Sequence, residues 1–277
     1  MNTGFLGPRG TFTQQAALKL FSQNEIKPYN TIFDVLNAVE AGELDYGIVP
    51  MENSIEGTVN ATVDALIFDT SLFIQKLIIL PIEQNLMVKK GTEKKNITEI
   101  FSHPHAIAQC KKYLYDNFKE IHTSTTDSTA AAAEMVANSH KNIAAIAPES
   151  AAELYGLDIL ERNIQDNNIN FTEFAVVAKN DTSDYTAGHK TTICFSTVDE
   201  PGSLYKLLDI FSIWDVNMSR IISRPMRNRP NEYVFFTELT QKDNAQDLND
   251  ALKMIKRKTS FFKNLGCYPV LDYREKK

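Results

Sequence analysis

The sequence predicts an α/β chain of two similar lobes followed by a smaller α+β unit, and three observations carry that prediction. Gly4-Phe5-Leu6-Gly7-Pro8 is echoed by Ile100-Phe101-Ser102-His103-Pro104, and Gly47-Ile48-Val49-Pro50 by Ala145-Ile146-Ala147-Pro148. Each run reads as a short apolar strand that breaks at a proline and feeds a helix, and the spacing repeats, with about 42 residues from Pro8 to Pro50 and about 44 from Pro104 to Pro148. Residues 1 to about 180 alternate apolar runs with amphipathic stretches, as an α/β domain does. After the polar stretch Asn180-Asp181-Thr182-Ser183-Asp184 the texture changes, and the remainder reads β-α-β-β-α-β, the order of a ferredoxin-like unit.

The elements follow in order. The first helix starts at Thr11-Phe12-Thr13 and runs through Leu18, while Asp34-Val35-Leu36 and Asp127-Ser128-Thr129 each open another helical stretch. Asp127 can serve as a helix N-cap ahead of Ser128 to Val136. Beyond the linker, Thr191 to Ser196 is a strand, and Pro201-Gly202-Ser203-Leu204 opens a helix to about Trp214. Strand-like runs follow at Met218 to Ile222 and Tyr233 to Thr240, then a helix through Leu252 and Ile255 and a last strand over Cys267 to Tyr273. Strand ends that deliver helix N-termini to a shared cleft bring unpaired N–H groups and positive dipole ends there, which suits a small anion.

A formal charge of −6 over 277 residues argues against a nucleic-acid or acidic-membrane partner, so an acidic ligand must be held by local donors. The basic group Lys253, Lys256, Arg257, Lys258 and Lys263 reads as a solvated helix face. Cys110, Cys194 and Cys267 lie far apart with no CxxC pair, which indicates neither a zinc site nor a disulfide framework. The N-terminus shows no apolar leader core, and the longest apolar run, around Leu77 to Pro81, is too short to span a bilayer. A cytoplasmic protein without cofactor or metal fits these features.

Six blocks carry a resemblance. They are Gly7-Pro8-Arg9-Gly10-Thr11-Phe12-Thr13, Gly47 through Gly57, Ser102-His103-Pro104 through Gln109-Cys110, Asp127-Ser128-Thr129-Ala130-Ala131, Ala145 through Leu157, and Asn170-Phe171-Thr172-Glu173-Phe174. In order and spacing they resemble the monofunctional prephenate dehydratases with a C-terminal ACT regulatory domain. Pro201-Gly202-Ser203-Leu204 and Ile222-Ser223-Arg224-Pro225 resemble the ACT pieces. The resemblance implies a two-lobed, periplasmic-binding-protein-like catalytic domain over residues 1–183, with lobe 1 at about 1–78 and 163–183 and lobe 2 at about 79–162. An ACT domain over 188–277 follows.

The implied reaction expels the ring hydroxyl of prephenate and one carboxylate as CO2, leaving phenylpyruvate. Aromatisation drives it, so the site needs alignment and a proton donor more than a nucleophile, metal or redox cofactor. The resemblance assigns catalytic positions to Thr172, Asn53, Ser102, Gln109 and Glu52, with Thr172 hydrogen-bonded to the leaving hydroxyl and Glu52 or Glu56 able to share the proton. It assigns substrate contacts to Thr11, Phe12, Ser54, Gly57, Asp127, Ser128, Thr129 and Phe174. Read from the residues alone, Thr172 is first a β-branched strand residue, and only the surrounding blocks favour the catalytic assignment.

Glu173 departs from the arginine usual after that threonine. Strand alternation turns it away from a face shared by Thr172 and Phe174. His103 reads as fixing its strand-to-helix turn, His105 replaces a glutamine common in the block, and His122, His140 and His189 read as surface residues. For phenylalanine as effector, held between two ACT domains, the resemblance points to Gly202, Ser203, Leu204, Asn217, Met218 and Ser223. A homodimer or a dimer of dimers follows. Ile222 and Ser203 replace the usual glutamate and alanine, which leaves the strength of feedback open. Arogenate dehydration and non-catalytic amino-acid sensing are the competing readings. Since all cleft motifs precede the linker, residues 1 to about 180 are expected to be catalytically sufficient.

Overall fold

The structure, a computed structural model, describes residues 1–167, 169–185, 189–227, 229, 232–240 and 245–274. The first segment runs β1 (Thr3–Leu6), α1 (Phe12–Leu18), β2 (Ile26–Tyr29), α2 (Ile32–Glu40), β3 (Tyr46–Asn53), β4 (Gly57–Thr58), α3 (Asn60–Asp64), a π-helical turn (Ala65–Asp69) and β5 (Phe73–Pro81). Thr11 caps α1 by accepting from Gln14 N, and Thr31 with Asp34 forms a full capping box on α2.

The second segment contains β6 (Asn85–Val88), β7 (Glu99–Ser102), α4 (Pro104–Gln109), α5 (Lys111–Asn117), β8 (His122–Thr125), α6 (Thr129–Asn138), β9 (Ile143–Ala147), α7 (Glu149–Tyr155) and β10 (Asp158–Glu161). These five strands form a separate mixed sheet in the order β10-β6-β9-β7-β8. β9, Ile143 to Ala147, is buried throughout because helices cover both faces. The alanines of α6 and α7 let those helices approach closely, with Ala132, Ala133, Ala151 and Ala152 all in one core.

β11 (Phe171–Ala178) returns to the first sheet. The third segment is β12 (Lys190–Thr197), α8 (Ser203–Ile213), β13 (Asn217–Pro225), β14 (Tyr233–Thr240), α9 (Ala245–Lys258) and β15 (Phe262–Tyr268). Its strands form a wholly antiparallel sheet, β13-β14-β12-β15, with α8 and α9 packed on one face. The single C-terminal strand expected from sequence is two. β15 ends at Pro269, which has no N–H to extend its ladder, and β16 (Val270–Asp272) pairs in parallel with β5. The first sheet is therefore β16-β5-β11-β3-β1-β2, with β4 on β3, and it takes an edge strand from beyond the linker.

That sheet is buried on both faces. One face packs against α1 through Phe5, Ile48, Ile78, Phe174 and Val176. The other packs against α2, the π turn and the four-stranded sheet, where Val49, Met51, Leu77 and Val177 meet Cys194, Phe236, Leu265 and Tyr268. Double burial explains the unbroken run Leu77 to Leu80, each such side chain contributing roughly 1.5–3 kcal/mol. Gly266 (φ +119°) allows the sheets to touch, since a Cβ there would lie 2.7 Å from the Ile74 carbonyl oxygen. Polar contacts tie the same seam. Arg224 grips Asp64 with two bonds of 2.6 Å, and the Lys263 ammonium meets the carbonyls ending the π turn, at 2.6 Å from Leu66 O. The linker is fastened too, with Ser183 Oγ accepting from Cys267 N at 2.9 Å.

Two chain crossings join the first two sheets, and they bond to each other: Ile82 N donates to Asn170 O (2.8 Å) and Ile164 N to Gln84 O (2.9 Å).

Candidate active site

A cleft of about 1060 Å³ lies between the first two sheets. The starts of α1, α4 and α6 open onto it, together with the β3–β4 turn and the first residues of β11. A bulge between β3 and β11 sets which side chains reach it. Glu173 pairs with Glu52 but Phe174 pairs with Pro50, which leaves Met51 as the extra residue. The bulge turns two successive side chains to one face. Pro50 and Asn53 therefore both reach the cleft, while Met51 and Glu52 both face the four-stranded sheet.

Asn53 is the hub of the cleft floor. Its Oδ1 accepts the backbone N–H groups of Ile55 (2.9 Å) and Glu56 (3.0 Å), which identifies the oxygen end of the amide. Its Nδ2 then lies 3.0 Å from Asn170 Oδ1, 3.1 Å from Phe171 O and 3.0 Å from Thr172 Oγ1. Asn170 passes the chain on, donating from Nδ2 to Gln109 Oε1 at 3.0 Å. Thr172 Oγ1 thus accepts from Asn53, and among the described residues no protein group takes its proton, so the hydroxyl can donate into the cleft.

Ten residues assigned to the reaction or its substrate line the cleft: Thr11, Phe12, Asn53, Gly57, Gln109, Asp127, Ser128, Thr129, Thr172 and Phe174. Several hold the frame as well. Thr11 donates to Pro8 O (3.0 Å), and Ser128, rather than Asp127, caps α6 by accepting from Ala131 N.

Three lie elsewhere. Ser102 is fully buried and donates to Ile146 O at 2.6 Å, because alternation along β7 points it into the sheet packing rather than the cleft. Ser54 ties down β11 instead, accepting from Phe171 N at 3.0 Å. Glu52 is turned away by the bulge and contacts the Arg220 guanidinium. Burial, opposed by Arg220 and reinforced by Glu173 and Glu238, raises its carboxyl from its ordinary value. Glu173 also points away from the cleft, as alternation predicts, but it is buried against Arg220 rather than exposed.

Among the described residues no lysine or arginine side chain lines the cleft; its ionisable groups are Glu56, His103, His105, Asp127 and Glu134. His103 Nδ1 accepts from His105 N at 3.3 Å, the expected turn-fixing bond, so its neutral ring carries the proton on Nε2. Burial and then the neighbouring His105 lower its pKa, against the pull of Glu56 and Asp127. His105 Nε2 lies 3.7 Å from Glu56 Oε2 across the cleft. Asn170, which the sequence left unassigned, links Asn53 to Gln109 behind the cleft lining; its place two positions before Thr172 was the available signal.

A second cavity, of about 320 Å³, sits at the start of α8, lined by Gly202, Ser203 and Leu204 with Thr197, Tyr233 and Phe235 among its walls. Gly202 has φ +78° and open space where a Cβ would stand. Asn217, Met218 and Ser223 do not line this cavity; they lie on the edge strand β13, where Asn217 donates to Thr240 Oγ1.

The sequence matches the family profile "Prephenate dehydratase" over residues 3–182. The chain belongs to the prephenate dehydratase family. It is 41% identical to a bifunctional chorismate mutase/prephenate dehydratase of Aquifex aeolicus, over 97% of this chain and 74% of that one. It is 35% identical to the prephenate dehydratase of Bacillus subtilis, over 97% and 98% respectively. A crystal structure of the prephenate dehydratase of Arthrobacter aurescens in complex with L-Phe superposes with a TM-score of 0.89 at 34% identity, covering 97% of this chain and 90% of that one. The chain is thus an enzyme of the lyase class, and a prephenate dehydratase cleft must place a hydrogen-bond donor beside a departing hydroxyl. Thr172 is the donor that the Asn53 network leaves available.

Proposed function

We propose that the cleft dehydrates and decarboxylates prephenate with Thr172 as the donor to the leaving oxygen. The ring–carboxylate bond breaks to give CO2, its electron pair becomes a ring π bond, and the ring C–O bond breaks with the hydroxyl taking up a proton to leave as water. The observation that carries the reading is the direction of the Asn53–Thr172 hydrogen bond. An amide donating to Oγ1 polarises the hydroxyl and aims its proton at the substrate. A threonine hydroxyl is too weak an acid to deliver the whole proton. Of the two carboxyls considered for that help, Glu56 faces the cleft and Glu52 does not. Carboxylates are held by neutral donors, namely Thr129 and the backbone N–H groups at the start of α6, without burying an unpaired cation.

Residues 1–183 then act as the catalytic domain and 188–277 as an ACT domain that binds L-phenylalanine, the pathway's end product. The antiparallel β-α-β-β-α-β unit, the cavity at Gly202 and the L-Phe bound to the Arthrobacter protein support this reading. An ACT pair across a homodimer, or a dimer of dimers, would close the cavity over its ligand, bringing in the β13 residues Asn217, Met218 and Ser223. A biosynthetic role in the cytoplasm agrees with this chemistry, and among the described residues no helix is long and apolar enough to cross a membrane.

The test is turnover of purified full-length protein with prephenate and, side by side, arogenate, for the parent and Thr172→Ala. Phenylpyruvate should form from prephenate, and the variant should lose kcat and kcat/KM together while still binding phenylalanine. Near-normal kcat in Thr172→Ala removes Thr172 from the mechanism, and a strong preference for arogenate reassigns the substrate.

A further inference from the structure

Directly behind the catalytic pair lies a largely buried charge cluster that the reaction does not use. Thr172 and Asn53 are register partners on β11 and β3, facing the cleft; the adjacent partners, Glu173 and Glu52, face the four-stranded sheet. Two carboxylates directly opposite each other repel. The Arg220 guanidinium, from β13, sits between them. Its Nη2 is 2.7 Å from Glu173 Oε2 and in contact with Glu52 Oε2, and its Nη1 is 3.0 Å from Glu238 Oε1 on β14. Lys190 on β12 adds a second cation, 2.8 Å from Glu238 and 4.0 Å from Glu173. Tyr268 on β15 is fully buried, its hydroxyl bonded to Thr192 and within electrostatic reach of Glu238, Glu173 and Arg220. Three carboxylates thus face two cations, and Arg220 is the group that bridges all three.

We propose that Arg220 is a positioning residue for the dehydration, holding β3 and β11 in register from the far face so that Asn53 meets Thr172. The proposal rests on the reading of Thr172 as donor. Without the guanidinium, Glu52 and Glu173 repel across the ladder at the bulge, where pairing is already irregular. The strands part at that end, and the 3.0 Å bond that aims the Thr172 proton is the next contact along. A misplacement of about 1 Å in a catalytic group costs on the order of a hundredfold in rate. A lysine cannot replace this fork, since three oxygens on three strands are held by a planar group with fixed donor directions.

The test uses full-length protein and prephenate. Arg220→Gln should lower kcat about tenfold or more near pH 8 with KM changed about twofold or less. Its kcat should recover as pH falls, because the Glu52 carboxyl, which burial holds above its ordinary value, then takes up a proton and the repulsion across the ladder ends; the parent should lack this limb. Arg220→Gln/Glu173→Gln, with one of the opposed charges gone, should regain most of the lost kcat and lose the limb. Arg220→Lys, the variant to use should Arg220→Gln not fold, should show a smaller fall in kcat. A variant with parental kcat across the pH range overturns the proposal, as does a lower Tm with the same fractional loss of activity at every pH. Adding Arg220→Gln to Thr172→Ala separates the two readings. If Thr172→Ala is impaired and the second change costs little more, both stand. If the two losses multiply, the positioning role falls alone; if Thr172→Ala keeps its kcat, the donor reading falls and the positioning role with it.

Discussion

On the cleft side of β3 and β11, Asn53 and Thr172 are neutral, and one proton is left for a ligand; on the far side, Glu52 and Glu173 are charged and held by Arg220. The two faces differ because they meet different surroundings. A cleft lined by neutral donors needs no fixed counter-charge, whereas carboxylates packed between two sheets must have their partner supplied by the fold. The third segment thus has a structural share in the cleft: its sheet covers the back of β3 and β11, and its tail supplies, beside β5, an edge strand of the sheet they belong to.

The largest effect should come from removing that cover. A chain cut after Tyr185 keeps every cleft motif, which from sequence looks sufficient, but it loses β16 and uncovers Val49, Met51, Leu77 and Val177. It is expected to aggregate or to be inactive; a soluble, cooperatively folding fragment that turns over prephenate would show that the back face needs no cover. On the front face, Thr172→Ala should lower kcat by roughly 10²–10⁴, the range for loss of a positioned proton donor, with the melting curve little changed.

Ser102→Ala sharpens the contrast from within the second sheet. Its buried hydroxyl serves Ile146 O, so the variant should lose about 1–3 kcal/mol of stability in denaturant titrations while kcat per folded molecule stays near normal. A selective fall in kcat would return Ser102 to the reaction. Gly202→Val should leave uninhibited kcat unchanged and weaken phenylalanine binding by calorimetry, at a backbone cost of roughly 1–2 kcal/mol for a β-branched residue at positive φ. Parental affinity would move the effector site elsewhere.

Smallest is the effect of Glu52→Gln on stability. The carboxyl is raised above its ordinary value, so the folded state holds its proton more tightly than the unfolded chain does. Stability therefore falls as pH rises from the ordinary carboxylate range to the raised value, and that loss persists at neutral pH. Glu52→Gln also brings the cluster to charge balance. Its Tm should be equal to or slightly above the parent's at pH 7, with the advantage vanishing below the ordinary carboxylate range. An advantage that grows as pH falls would contradict the assigned shift.

Periodicity and turn chemistry determined much of this protein by themselves. The strand–proline–helix units at Pro8, Pro104 and Pro148, the caps at Thr11 and Thr31 and the β-α-β-β-α-β order after the linker depend on neighbours within a few positions, and the chain states these directly; at Pro50 the expected break does not occur, because β3 runs on through the proline to Asn53 to pair with β11. Alternation likewise set Thr172 and Phe174 on one face and Glu173 on the other. Only the tertiary structure decided what depends on pairing between distant segments. The bulge at Met51 turned Glu52 out of the cleft; Ser102 went to a buried carbonyl 44 positions away; Val270 to Asp272 left their own unit for the sheet of another. Each follows from register, and register is a compromise among backbone hydrogen bonds and burial across strands that lie far apart in the chain, so no local pattern encodes it.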